Sequence, residues 1–186
     1  MDPTINHPPT LTGAHVTLRP FRDADAPAIA RHANNRAIWR NLTSLFPRPY
    51  TLADAEVWLA HCRDTTHGEI HFAIDLAGEC VGVIGLCPAA GRDVDYLGLG
   101  YWLAEPHWGR GIMGEAARLV VDFAFTALPC HRLEAWVFEY NPASARVLEK
   151  CGFTREGRLR ARALKDGQHI DQIYYGLLRE DWQARR

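Results

Sequence analysis

Lysine is almost missing from this 186-residue chain: Lys150 and Lys165 are the only two, and arginine carries nearly all the positive charge. The 21 basic and 22 acidic side chains leave a formal net charge of -1. Without a basic excess there is no electrostatic footprint for a nucleic-acid partner. Arg155, Arg158, Arg160 and Arg162 do crowd one segment. On a strand they alternate faces, so they read as a solvated edge or as a contact for phosphate or an acidic substrate. The five cysteines, Cys62, Cys80, Cys87, Cys130 and Cys151, are odd in number and fit neither a disulfide framework nor a zinc pattern. They read as reduced, mostly buried thiols of a cytoplasmic protein. The nine histidines lack a metal-ligand spacing and there is no HExxH, so no metal site is expected. No apolar run approaches the length of a membrane span, and the opening MDPTINHPPT has no basic-then-apolar leader pattern.

What is present is a chain with 47 % apolar and 23 % charged residues, enough for one core under a charged surface. Residues 1–11 are Pro-rich and are expected to be a flexible segment before a single domain over 12–182. His15–Arg19 alternates like a strand. Asp23 or Asp25 is placed to cap a helix over Ala26–His32. Asn34–Pro49 reads as a short helix or a long loop whose Trp39 and Phe46, with Tyr50 and Trp58, line either a cleft or the core. Thr51 and Asp54 form a capping box for a helix with an apolar stripe of Val57, Trp58 and Cys62. His71–Leu76 and Cys80–Cys87 flank a turn at Ala77–Glu79 and read as a hairpin. Tyr96–Leu103 is a further strand, and its Gly98 and Gly100 point to something approaching the backbone. Glu115–Leu128 is strongly helical, His131–Phe138 a strand, Ser144–Lys150 a short helix. A last hairpin turns at Lys165–Gly167. The order is mixed α and β without a repeat.

The central signal is Trp108-Gly109-Arg110-Gly111-Ile112-Met113-Gly114, between a strand and a helix. Such a turn presents consecutive backbone N–H groups at the positive end of the helix dipole, which suits a phosphate or pyrophosphate. Gly109, Gly111 and Gly114 match the dinucleotide pattern GxGxxG. That pattern should open a series of parallel strand–helix units, whereas here it lies past mid-chain behind a hairpin. The ATP-type GxxxxGKS/T is absent.

Residues Tyr101–Ala117 resemble the acetyl-CoA loop of the GNAT acetyltransferases, and most of all the branch of ribosomal-protein N-terminal acetyltransferases. The family pattern Arg/Gln-x-x-Gly-x-Gly/Ala falls on Trp108, Gly111 and Met113, so only Gly111 obeys it strictly. A second block, Asn141-Pro142-Ala143-Ser144 running through Leu148-Glu149-Lys150 to Gly152-Phe153, resembles the NxxS…LEKxGF segment of the same branch. The resemblance covers about residues 12–182.

It implies an α+β fold, a mostly antiparallel mixed sheet of about seven strands flanked by about four helices and splayed where the cofactor enters. It implies acetyl-CoA as acyl donor and a primary amine as acceptor, a protein N-terminus being the first candidate, with no nucleic acid or membrane, in a monomer or homodimer. Cofactor contacts then fall on Leu99, Tyr101, Trp108, Gly109, Arg110, Gly111, Ile112, Met113, Gly114, Asn141 and Ser144. A backbone N–H near Leu99 or Gly100 would serve the thioester carbonyl. Leu148 stands where many relatives have a tyrosine acid, which leaves Ser144 either to donate to the departing sulfur or simply to cap its helix. Asn141 binds the cofactor arm or orders the turn. Gly98 stands where some relatives have a glutamate base, so Glu139, Asp95, Asp171 and His71 are the candidates. A non-catalytic CoA-binding scaffold is the alternative from a different functional class.

Overall fold

The computed structural model describes residues 8–88 and 96–186. Among the described residues eight strands form one sheet in the order β1-β2-β3-β4-β5-β6-β8-β7. They are β1 Leu11–Thr12, β2 Thr17–Arg19, β3 Ile70–Leu76, β4 Glu79–Pro88, β5 Tyr96–Leu103, β6 Arg132–Phe138, β7 Thr154–Lys165 and β8 Gln168–Leu178. Among the described residues there are six α-helices: α1 Ala26–Ala33, α2 Arg36–Trp39, α3 Leu52–Arg63, α4 Ile112–Ala127, α5 Pro142–Lys150 and α6 Arg179–Gln183. The expected α+β class holds, with one strand and two helices more than anticipated. The additions are short: β1 has two residues and α2 has four, too few for a periodic signal.

Both long hairpins turn where glycine permits it. Ala77 (φ 53°) with Gly78 (φ 91°) and Asp166 (φ 48°) with Gly167 (φ 75°) are left-handed pairs, the conformation that matches strand twist in a two-residue hairpin. β7 is the sheet edge and carries the arginine cluster on exposed positions.

Alternation sorts the sheet's side chains onto two faces. Phe72, Ile84, Leu86 and Leu99 join Met113, Val120 and Leu148 of α4 and α5 in the larger core. Ala73 and Cys80 join Ile29, Ala33, Ala55 and Leu59 of α1 and α3 in the smaller one, with Trp58 and Trp102 against it. Tyr50 is buried there and Phe46 stacks on it at 4.9 Å, so these aromatics are core. Val57 is 70 % exposed and does not belong to the stripe expected for α3, which buries Ala55 and Leu59 instead. The Thr51–Asp54 capping box is present.

Asp25 does not cap α1 through its side chain. Its carboxylate takes Nη1 and Nη2 of the buried Arg19, both at 2.8 Å, and the Arg22 N–H at 2.7 Å, while Arg19 Nε reaches Asp75 at 2.6 Å. Burial pushes the Asp25 carboxyl up, but Arg19 and the Arg22 N–H outweigh it and hold the group below the ordinary carboxylate range. Replacing Arg19 with alanine strands two carboxylates. The expected cost is about 3–5 kcal/mol, read as a lower denaturant midpoint at unchanged slope. At the other end Arg179 gathers the carbonyls of Phe125, Leu128 and Cys130, and Trp182 bonds Asp122 at 2.7 Å. These bonds fix α6 against the end of α4.

Candidate active site

β5 and β6 are the only parallel neighbours among the described strands, and they pair over just Tyr96↔Arg132, Leu97↔Leu133 and Gly98↔Glu134. Beyond Gly98 they separate, while β5 stays paired to β4 as far as Leu103. The edge of β5 from Leu99 onward therefore offers backbone groups into a split. Leu99 and Tyr101 face α4 and α5. Gly98, Gly100 and Trp102 take the opposite face, toward α1 and α3. A Cβ built on Gly100 meets nothing within 4 Å, and one on Gly98 meets only the Cys87 carbonyl at 3.5 Å. That face of β5 is open.

The glycine loop stands at the α4/α5 end of the split. Gly109 (φ 73°) and Gly111 (φ 80°) are both left-handed, and Gly111 is the N-cap of α4. Neither added Cβ would meet an atom within 4 Å, so these glycines answer to backbone conformation and not to crowding. The first helical bond runs from Glu115 N–H to the Gly111 carbonyl at 3.0 Å. The N–H groups of Ile112, Met113 and Gly114 are left to point out of the helix end. Ile112 and Met113 send their side chains into the core, which is how methionine is accommodated where the family pattern has Gly or Ala. Trp108 donates Nε1–H to the Leu103 carbonyl at 2.7 Å and pins the loop to the end of β5. Arg110 is exposed beside His107, 3.4 Å from its Nδ1.

Asn141, not Ser144, caps α5: its Oδ1 accepts from the Ser144 N–H at 3.2 Å. The Ser144 hydroxyl is thereby free of capping and lies 2.8 Å from the Tyr101 hydroxyl. A Ser–Tyr hydroxyl pair thus bridges α5 and β5 at the split. Burial pushes the Tyr101 phenol up, only partly offset by Ser144, so it stays protonated. Leu148 is fully buried.

A strand split, a left-handed glycine loop and a hydroxyl pair are the parts an acyl-CoA site needs. Residues 15–154 match the acetyltransferase (GNAT) domain family. The chain belongs to the GNAT acetyltransferases. It is 32 % identical over 177 residues to Probable N-acetyltransferase YjcK of Bacillus subtilis (strain 168), spanning 92 % of this chain and 98 % of that one. It is 26 % identical over 165 residues to the spermidine N(1)-acetyltransferase of Vibrio cholerae serotype O1, spanning 85 % and 90 %. Mycobacterium smegmatis RimJ in complex with CoA-disulfide superposes with a TM-score of 0.85 and 26 % identity, over 95 % of this chain and 90 % of that one. The protein is an enzyme that transfers an acetyl group from acetyl-CoA to an amine.

In this GNAT enzyme the other candidates fall as follows. Glu139 is exposed past the end of β6 and pairs with Arg158 at 2.8 Å. Asp171 also binds Arg158 and takes the Ala161 N–H at 2.7 Å, where β7 bulges. Asp95 lies outside the described residues. His71 is buried on β3 and bonds Glu69 Oε2 through Nε2 at 2.8 Å, and His61 Nε2 shares that oxygen at 2.7 Å. The three donor atoms lie within 4.8 Å of one another. The 2.7 and 2.8 Å contacts to Glu69 are hydrogen-bond lengths, shorter than the about 3.3 Å between neighbouring ligands of a tetrahedral ion with bonds of about 2.0–2.1 Å, so a metal here would require the three side chains to move apart. No linear spacing announces this triad, because His61 comes from α3, Glu69 from the residue before β3 and His71 from β3 itself.

Burial pushes the Cys80 and Cys87 thiols up to about 12 and Cys151 to about 11. All three stay protonated near neutral pH, so none of the three offers a thiolate. Trp39 serves a brace: its Nε1 bonds the Phe46 carbonyl at 3.1 Å, and Lys165 Nζ sits 3.7 Å from its ring centre. Lys165 also reaches the Thr43 carbonyl at 3.2 Å, and the Tyr140 hydroxyl reaches the Arg40 carbonyl. Residues 36–46 are thereby tied to the β7–β8 hairpin and to the end of β6.

Proposed function

We propose that the acceptor is the α-amine of a protein or peptide N-terminus, attacking the thioester directly with no covalent enzyme intermediate. The observation that carries the reading is the split beyond Gly98, with the hydroxyl pair on one face and bare glycines on the other. The amides of residues 109–114 hold the pyrophosphate at the dipole end of α4. The pantetheine arm lies along the free edge of β5, where a backbone N–H of Leu99 or Gly100 polarises the thioester carbonyl. With the cofactor filling the α4/α5 side, the amine enters over Gly98 and Gly100. Ser144, backed by Tyr101, donates to the departing thiolate in place of the tyrosine that Leu148 replaces. The choice of an α-amine is supported by the resemblance of both motif blocks to the ribosomal-protein N-terminal branch and by the likeness to RimJ. A net charge of -1 and the lack of any described helix long and apolar enough to cross a membrane accompany it. With them goes a cytoplasmic monomer or homodimer in which residues 12–182 form one domain, without a nucleic-acid or membrane partner.

The test is a panel read by mass spectrometry: tetrapeptides with free N-termini, the same peptides N-blocked but containing lysine, and spermidine. Acetylation of the free α-amines alone supports the reading. Acetylation of spermidine alone makes this a small-amine enzyme, as the Vibrio relative is named. Ser144→Ala is expected to lower kcat about 10-fold with the acetyl-CoA KM nearly unchanged. Tyr101→Phe should act in the same direction, and the pair should be less than additive because they share one hydrogen bond. Unchanged kcat in Ser144→Ala at saturating substrates would return Ser144 to a structural role.

A further inference from the structure

Acetyl transfer to an α-amine leaves one proton without a destination. With a pKa of about 8, such an amine arrives at pH 7 mostly as ammonium, and the nitrogen must be freed before it can attack. Gly98 offers no side chain for this, and Glu139 and Asp171 are both bound to Arg158.

The sheet supplies another group. His71 pairs across to Gly85, and Gly85 pairs across to Gly100, so the three form one row over β3, β4 and β5. The His71 ring leans along that row: a Cβ on Gly85 would come within 2.2 Å of its Nδ1. Directly opposed residues on neighbouring strands hold their Cβ positions about 4.5–5.5 Å apart. Nδ1 therefore stands within about 8 Å of the open space over Gly100, room for the acceptor nitrogen and its hydrogen bond. The other ring nitrogen is engaged by Glu69, which sets Nδ1 as the acceptor. Trp58 packs edge-on to the ring at 4.8 Å and holds it in place.

We infer that His71 Nδ1 takes the first proton from the acceptor ammonium across the glycine row, with Glu69 fixing the ring. This rests on the acceptor reading above. The ammonium gives one proton to Nδ1, and the neutral nitrogen forms the C–N bond at the thioester carbon. The C–S bond breaks, and the second amine proton leaves as the thiolate is protonated on the Ser144 side. The imidazolium is held by Glu69 and returns its proton to water along the half-exposed edge of Glu69 and His61, whose side chains are 26 % and 38 % exposed. Among the described residues the titratable groups that act on His71 are Glu69, just before β3, and His61 on α3; His67 stacks on His61, and the thiols of Cys62 on α3 and Cys87 on β4 lie near Glu69. Burial lowers the His71 pKa more than Glu69 raises it. The ring is thus neutral and able to accept at pH 7, and it loses that ability only as pH falls below the ordinary imidazole range.

The test is kcat/KM against pH from 6 to 9.5, with acetyl-CoA and an alanine-initiated tetrapeptide, for the wild type, His71→Gln and Glu69→Gln. The wild type should reach its plateau below pH 7. His71→Gln should be about 10- to 100-fold slower at pH 7, climb with the amine's own pKa of about 8, and come within about 3-fold of wild type at pH 9.5. Glu69→Gln, a milder change at a partly exposed site, should lose about 5-fold at pH 7 and recover likewise; it carries the test if His71→Gln does not fold. Acetyl-CoA affinity should not move in either. A loss that is constant across pH, or no loss, overturns the role of His71 while wild-type turnover leaves the acceptor reading intact. Wild-type activity abolished by a chelator would assign the triad to a metal and overturn it too. A wild type that binds acetyl-CoA but acetylates no peptide overturns both.

Discussion

Gly111→Val is expected to weaken acetyl-CoA binding by about 10²–10⁴-fold. Gly111 has φ of 80°, a conformation that costs an L-residue about 1–2 kcal/mol and a β-branched one more. Since an added Cβ would meet nothing within 4 Å, valine would fit as a shape but not as a backbone. The chain would leave the left-handed region, and Gly111 would cease to be a proper N-cap for α4. The N–H groups of residues 111–114 would then stop converging. Hydrogen bonds to a charged group are worth about 1.5–3 kcal/mol each, so two lost bonds account for the expected range. Calorimetric titration with acetyl-CoA measures it. Gly78→Val is the control, since Gly78 has φ of 91° with nothing within 4 Å of its Cβ but lies in the β3–β4 turn. It should lower thermal stability and leave acetyl-CoA affinity alone. Equal loss of affinity in both would mean that strain, not the amide cradle, is being measured.

The second large effect is expected at Gly100. Isoleucine there should lower kcat/KM for the amine about 10²–10³-fold and change acetyl-CoA affinity less than about 3-fold. The residue is in regular strand and exposed, its Cβ position is open, and β-branched side chains suit strands. Folding should therefore be unharmed. What isoleucine occupies is the space over β5 assigned to the incoming nitrogen, where a misplacement of about 1 Å can cost about 10²-fold. Because Leu99 and Tyr101 face the other way, the cofactor's side of β5 stays as it was. Steady-state kinetics with acetyl-CoA and peptide varied in turn separates the two. A matching loss of acetyl-CoA binding would mean that both reactants use one face.

The parts of this molecule that local chemistry determines were readable from its residues. Thr51 with Asp54, Ala77-Gly78, Asp166-Gly167 and the run from Trp108 to Gly114 each need only their immediate neighbours to specify a cap, a turn or a left-handed glycine loop at a helix start. What depends on distant partners was not. Asp25 looks like a helix cap and is the counter-ion of Arg19, because Asp75 on another strand completes the pair. Serine is a preferred N-cap, yet Asn141 takes that role and leaves Ser144 to Tyr101, 43 positions away. Val57 has the hydrophobicity of a core residue but faces outward from α3. The split after Gly98 came only through the resemblance, since no property of β5 alone says where β6 leaves it. The His61–Glu69–His71 triad had no linear spacing to betray it. Its one faint signal was Gly85, whose missing side chain is the room that the His71 ring fills.

The most direct test of how the two reactants meet is a crystal structure grown with acetyl-CoA. The pyrophosphate should lie within hydrogen-bond reach of the N–H groups of residues 111–114. The thioester should sit in the split with its carbonyl oxygen toward the Leu99 or Gly100 N–H and its sulfur beside Ser144. Density for the acetyl group on the α1/α3 face, over Gly98 and Gly100, would contradict the assignment of that face to the amine.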